Sequence, residues 1–317
     1  MEYVPSRRGW ETIAPAEAGF DAGRLEEAVR FAVENESRWP TSMFLDDGRY
    51  IGTAYVEDRP PYDQVMGPVR PRGPANGLIL RGGRIVAEWG DTAQVDMTFS
   101  VAKSYIAIVA GLAVDRGLIP DIDAPVREVA PDEGFESAHN AQITWRHLLQ
   151  QTSEWEGVLF ERPDSVDRNR QVGPEVVDNP NKGTARTLST PGTHWEYNDV
   201  RVNRLALSLL RVFRRPLPEV LRELVMDPVG ASDSWEWHGY DTSWVDIDGR
   251  RIQSVSGGGH WGGGFFISAR DQARTGLMVQ RNGLWGDRVI LSEAWTRALR
   301  TPPRDPLGGL DPCAAHA

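Results

Sequence analysis

Ser100-Val101-Ala102-Lys103-Ser104-Tyr105-Ile106-Ala107-Ile108-Val109-Ala110-Gly111-Leu112-Ala113-Val114 is the most apolar helical stretch of the chain. Lys103 is one of only two lysines in it, against 33 arginines. A guanidinium stays protonated at any accessible pH, whereas a partly desolvated ammonium can give up its proton. A lysine three residues after a serine, in a chain that otherwise uses arginine, therefore marks a place where arginine would not serve. Residues i and i+3 share a helix face, so Lys103 Nζ can reach Ser100 Oγ. That is the arrangement of an activated serine nucleophile. The serine also falls at the start of the predicted helix, where backbone N–H groups and the helix dipole favour a developing negative charge. The helix should run to Arg116 and stop at Gly117. Apolar nearly all round, it should be a buried central helix.

Outward from this helix, the chain alternates strand and helix signals. Asp21 caps a helical pattern over residues 21–36, and a Pro- and Gly-rich loop covers 60–77. Residues 77–90 read as a hairpin, two apolar runs about Gly82-Gly83. Thr144 should cap a short helix to Leu149. Residues 161–191 have few periodic apolar positions and read as a long irregular excursion, a candidate lid. Helices are expected through Leu205, Leu209 and Val212, from Pro216 to near Met226, and from Asp271 to Gln280, with a strand at Phe265-Phe266-Ile267. The twelve tryptophans cluster partly between Trp235 and Trp261; packing is favoured for them over a stacking platform.

The bulk numbers set limits. At 317 residues, 40% hydrophobic and 25% charged, the chain has the composition of a globular protein. A net charge of −10 argues against a nucleic-acid or anionic-membrane partner. The N-terminus lacks a signal-peptide pattern and the longest apolar run, near Ile106 to Val114, is too short to span a bilayer, so the expected location is the cytoplasm. The single cysteine, Cys313, excludes a disulfide framework. There is no G-x-S-x-G elbow, no H-E-x-x-H and no metal spacing among the histidines. His147 and His194 read as packing or hydrogen-bonding residues.

Several segments together resemble the serine β-lactamase and penicillin-binding protein superfamily, closest to its class C-like branch of esterases, amide hydrolases and D-amino-peptidases. Thr98 to Ser104 with the following helix looks like the S-x-x-K segment. Ile143 to Ser153 matches "ITxxHLLxxTS", with Glu154 where the pattern continues with Gly. Tyr197-Asn198-Asp199 stands at the Y-x-N motif, with Asp199 in the place of its final Asn. Gly263 to Asp271 resembles "GGLxSTAxD", and Ser292-Glu293-Ala294-Trp295 resembles "LSExW".

The resemblance implies an α+β fold with an antiparallel sheet flanked by helices plus a helical subdomain. It would be a single domain over residues 1–317: an N-terminal region with the sheet hairpin to 99, a central helix and helical region over 100–250, and a partial return to the sheet from 251. It implies Ser100 as acylated nucleophile, Lys103 and Tyr197 as the groups that move its proton, and a small ester or amide as substrate, without metal or cofactor. Which of Lys103 and Tyr197 is the acylation base stays open. Asp199, His260 and Trp261 are the candidate substrate-binding residues, His260-Trp261-Gly262 being a possible stand-in for the family's K-T-G or H-x-G third motif, although it comes earlier in the chain than that motif does. Residues Pro306 to Ala317 carry no strand pattern where the family has further strands, so a C-terminally truncated fold is expected. The competing reading is a catalytically impaired member that only binds ligand.

Overall fold

The computed structural model describes residues 3–171 and 179–301. Cys313 and the Pro306 to Ala317 ending lie outside the described residues.

The architecture is α+β, and its centre is the predicted helix. Helix α1 (Ala22–Glu34) is capped by Asp21, whose carboxylate accepts from Arg24 N. It contributes Leu25 to a small cluster with Ala18 and Val86. A single turn, α2 (Ile51–Ala54), follows. Strands β1 (Gly77–Arg81) and β2 (Arg84–Trp89) pair antiparallel. Their turn residues Gly82 and Gly83 have φ of 57° and 86°, which is why two glycines stand there. Strand β3 (Val95–Met97) leads into the nucleophile turn and α3 (Ala102–Asp115). Nine of the fourteen residues of α3 are buried, and Gly117, at φ 68°, ends it as expected.

Helix α4 (Trp145–Leu149) carries the expected Thr144 cap: Thr144 Oγ1 accepts from His147 N, and His147 Nδ1 accepts from Thr144 N. The short pair β4 (Val158–Leu159) and β5 (Arg162–Pro163) precedes α5 (Asp199–Phe213) and α6 (Leu217–Leu221). A π-type turn, Arg222–Met226, prolongs α6. Then come β6 (Glu236–Ile247), β7 (Arg250–Val255) and β8 (Gly264–Ser268). The four-stranded sheet has the order β3-β8-β6-β7, all antiparallel. Helix α7 (Ala269–Gln280), the two-residue strands β9 (Leu284–Trp285) and β10 (Arg288–Val289), and α8 (Glu293–Arg300) complete the described chain. No helix among the described residues is long and apolar enough to cross a membrane.

The sheet is pinned to α3 through Phe265 on β8. Tyr105 of α3 stacks on its ring at 4.1 Å, and Trp235 and Trp237 contact it at 5.6 and 5.3 Å. These tryptophans and Trp261 are buried, in keeping with the packing reading, while Trp244 is half exposed. On the other side of α3, Trp295 of α8 lays its indole over Gly111 and donates from Nε1 to Ala107 O at 3.0 Å.

Two features differ from the sequence reading. The sheet returns at Glu236, ahead of residue 251, because the hairpin β6–β7 carries too many polar positions to show a clean alternation. The excursion over 161–191 is in part built into the protein: Arg162, Asp164 and Asp167 are buried, while Asn169, Arg170, Asn179 and Thr184 line a cleft. Its charged residues pair with one another and with α5, so they pack without an apolar period.

Candidate active site

Ser100 sits in one 3₁₀ turn, Phe99–Val101, between β3 and α3. The turn is held to the sheet by Thr98, whose backbone N and Oγ1 both donate to Phe265 O at 2.9 Å. Phe99 has φ of 49°, strained backbone immediately before the serine. The packing of Phe99 against Trp39, 5.2 Å between rings, holds that conformation.

Lys103 Nζ lies 3.1 Å from Ser100 Oγ, as the i, i+3 spacing requires. Tyr197 arrives from the loop before α5 and places Oη 2.5 Å from the same oxygen. Residues nearly a hundred positions apart thus converge on one hydroxyl. Lys103 Nζ also contacts Asp199 Oδ1 at 2.5 Å and Gly257 O at 3.2 Å, and stands 4.8 Å from the Tyr197 ring centre.

Asp199 is turned into the protein interior. It is buried at the first turn of α5 and is shared by Lys103, by Arg170 Nη1 at 2.6 Å and by His260 Nδ1 at 3.1 Å. Burial alone would raise its pKa, but these three cationic partners hold it well below the ordinary carboxylate value. Burial likewise works against the Lys103 ammonium, yet Asp199 and Tyr197 together raise its pKa above the ordinary lysine value.

His260 and Trp261 are also placed differently from the expectation. Both are buried, stacked on each other at 3.8 Å. Trp261 Nε1 donates to Asp58 Oδ2 at 3.0 Å and Tyr62 O at 2.8 Å, and His260 Nε2 meets Asp58 Oδ2 at 2.7 Å. They form a floor behind the site. The segment that borders the nucleophile is the glycine run before them. A Cβ on Gly258 would lie 3.3 Å from Lys103 Nζ and 3.5 Å from Ser100 Oγ. Three consecutive glycines were the only sequence signal for this close backbone approach.

Asp58, Asp167 and His260 bring ligand-type atoms within 4.8 Å of one another. Their donor set does not suit a metal ion. Both imidazole nitrogens already face carboxylates, and Lys182 Nζ forms an ion pair with Asp58. The surrounding aspartates outweigh burial and raise the His260 pKa, so the imidazole supplies positive charge rather than a lone pair. Arg170, the other residue that sequence reading missed, joins Asp199 to Asp167 and stacks 4.9 Å from the Tyr197 ring centre. A polar cleft of about 480 Å³ opens beside Tyr197, with Asn169, Arg170, Thr184, His194 and Trp195 in its wall.

The sequence model of the family described as Beta-lactamase matches residues 78–311. The chain belongs to this Beta-lactamase family. Solved structures with the same fold include an octameric penicillin-binding protein homologue from Pyrococcus abyssi, 16% identical, TM-score 0.50, covering 89% of this chain and 60% of that one. A penicillin-binding protein from Bacillus halodurans is 23% identical, TM-score 0.46, with 75% and 72% covered. EstCE1, described as a hydrolase with promiscuous acyltransferase activity, is 19% identical, TM-score 0.44, with 70% of each chain covered. The chain spans 59% of the length of a Bacteroides dorei relative and 60% of the Pyrococcus abyssi protein. No curated protein matches it. Within this Beta-lactamase family chain, then, the serine, lysine and tyrosine singled out in the sequence meet at one point.

Proposed function

We propose that this chain is a serine hydrolase that cleaves a small ester or amide through an acyl-enzyme on Ser100. The observation that carries the reading is the convergence of Lys103 Nζ and Tyr197 Oη on Ser100 Oγ, at 3.1 and 2.5 Å. In acylation, Ser100 Oγ bonds to the carbonyl carbon while its proton passes to the Lys103–Tyr197 pair. The tetrahedral intermediate then expels the alcohol or amine, which leaves with that proton. Water repeats the sequence on the acyl-enzyme, releasing the acid and restoring Ser100. The N-terminal turn of α3 and the backbone at Gly258 flank the position where the oxyanion would form.

The cleft supports a substrate without a carboxylate. Among its described lining residues the one guanidinium, Arg170, is already engaged by Asp199 and Asp167. Among the described lining residues there is thus no lysine or arginine outside an ion pair, and neutral esters and amides are the class favoured over β-lactams.

The test is intact mass after treatment with a fluorophosphonate probe. One adduct on the wild type, absent from Ser100→Ala, supports the reading. No adduct on folded protein would sink it in favour of a member that only binds ligand. Tyr197→Phe should slow labelling about 10²- to 10⁴-fold, the range for loss of a proton-transfer group.

A further inference from the structure

Lys103 and Tyr197 both reach the nucleophile, and hydrogen-bond counting does not separate their roles. An ammonium would donate to Ser100 Oγ, Asp199 Oδ1 and Gly257 O. A neutral amine could donate to the last two and turn its lone pair to the serine. Charge separates the two cases. The partner at 2.5 Å is a carboxylate only 4% exposed, and it cannot swing away. Arg170 Nη1 holds its other oxygen at 2.6 Å, His260 Nδ1 meets the same oxygen at 3.1 Å, and its backbone N donates to Asp167 Oδ2 at 2.9 Å. Deprotonating Lys103 would remove a positive charge from direct contact with a fixed, desolvated negative one. The ammonium also lies 4.8 Å from the Tyr197 ring centre, a contact that exists only while the charge does.

We infer that Asp199 is a positioning residue that keeps Lys103 an ammonium, so that Lys103 is not the group that takes the Ser100 proton. This rests on the proposed role of Ser100 as nucleophile. It gives the aspartate at the end of the Tyr197-Asn198-Asp199 triplet a purpose: it serves the lysine behind the reacting bond and not the substrate in front of it. Titratable and charged groups facing Lys103 are Asp199 from α5 and Tyr197 from the preceding loop. Arg170, His260 and Asp167 act on it through Asp199. In this arrangement the lysine stays positively charged beside Ser100 Oγ and hands no proton on.

The chain's composition makes the test direct. With only Lys103 and Lys182 present, protein labelled with ¹³C-lysine gives two side-chain Cε signals, assigned by Lys182→Arg. Lys103 in the wild type should keep its ammonium shift to pH 10, close to the ordinary lysine midpoint of about 10.4. In Asp199→Asn the counter-ion is gone and burial remains, so the midpoint should fall by a unit or more. Fluorophosphonate labelling of that variant should then decline about tenfold per pH unit above the new midpoint, as for loss of one required proton. A wild-type Lys103 that titrates below pH 9 overturns the inference. So does an Asp199→Asn variant whose labelling accelerates as the lysine loses its proton, which would make the neutral amine the base. If the wild type is never labelled, the hydrolase reading fails, while the lysine signal still reports on Asp199 and Lys103.

Discussion

Arg186 grips Glu154 through both terminal nitrogens, each 2.6 Å from a carboxylate oxygen. Arg201 Nη1 adds a third contact at 2.8 Å and Ser189 N a fourth at 2.9 Å. Glu154 stands where the resembling family segment continues with Gly, and its φ of 50° lies in the left-handed region that favours glycine. The side chain offsets the strain by anchoring the loop that carries Tyr197, because Arg186 and Arg201 both also hold Glu196. Burial would raise the Glu154 pKa, but Arg186, Arg201 and the Ser189 N–H bring it from an ordinary 4.5 to about 2.

Glu154→Gln should therefore destabilise the fold by about 3–5 kcal/mol, the cost of breaking a buried pair from one side. The pH sign follows from the lowered pKa. The wild-type contribution is complete above about 4.5 and is lost as pH falls toward 2. Thermal melts from pH 7 to pH 2 should show wild type and variant converging at the acid end. A gap of constant size would mean that the carboxylate charge is not what matters.

Gly258 offers a steric test of the site. Its Cβ position is only 3.3 Å from Lys103 Nζ and 3.5 Å from Ser100 Oγ, and no positive φ constrains it to glycine. Gly258→Val should lower the melting temperature less than Gly259→Val does. It should slow Ser100 labelling about 100-fold, since a misplacement of about 1 Å at reacting atoms costs that much. Gly259→Val makes the contrast: its Cβ would fall 2.4 Å from Met97 Sδ, so the fold itself should suffer.

The parts legible in the sequence were those with local rules. The helix from Ser100, the Gly82-Gly83 turn and the Thr144 cap each follow from spacing or cap chemistry within a few residues. The convergence of Tyr197 on Ser100 was legible only through resemblance, since no local rule joins positions 97 residues apart. The burial of Asp199, His260 and Trp261 was not legible for a related reason. A polar residue in a motif suggests contact with a ligand, and sequence does not reveal that Arg170, Asp58 and Lys182 turn these groups inward. The same blindness left the Asp164 to Arg170 stretch within an irregular excursion.

Gly111 sets two effects against each other. Helix propensity alone predicts that Gly111→Ala would stabilise α3 by about 1 kcal/mol. The added Cβ, however, would sit 2.3 Å from Trp295 Cδ1. Overpacking of this kind typically costs about 1–3 kcal/mol. Because Trp295 Nε1 is tied to Ala107 O, the indole cannot slide away without losing that bond. The net effect should be a lower melting temperature, and the double variant Gly111→Ala, Trp295→Ala should show the alanine at 111 becoming neutral or favourable. A stabilising single variant would show that α8 adjusts freely on α3.

His260 is the cation that ties Asp58 to Asp199, and its stability contribution has the opposite pH sign to that of Glu154. Burial opposes its charge, but Asp58 and Asp167 outweigh it and raise the pKa above the ordinary 6.5. A raised pKa means that the folded state binds the proton more tightly than the unfolded chain. The contribution is thus complete below about 6.5 and is lost as pH climbs through the folded value. His260→Gln keeps a planar amide against Trp261 but leaves the carboxylates of Asp58 and Asp199 without the bridging charge, at a cost of about 3 kcal/mol. Melting temperatures measured from about pH 5.5 to pH 10 should show the largest gap between wild type and variant at the acid end, narrowing upward. A gap that widens with pH would mean that the imidazole is neutral in the folded protein, and the charge assignment of the whole cluster behind Ser100 would have to be reversed.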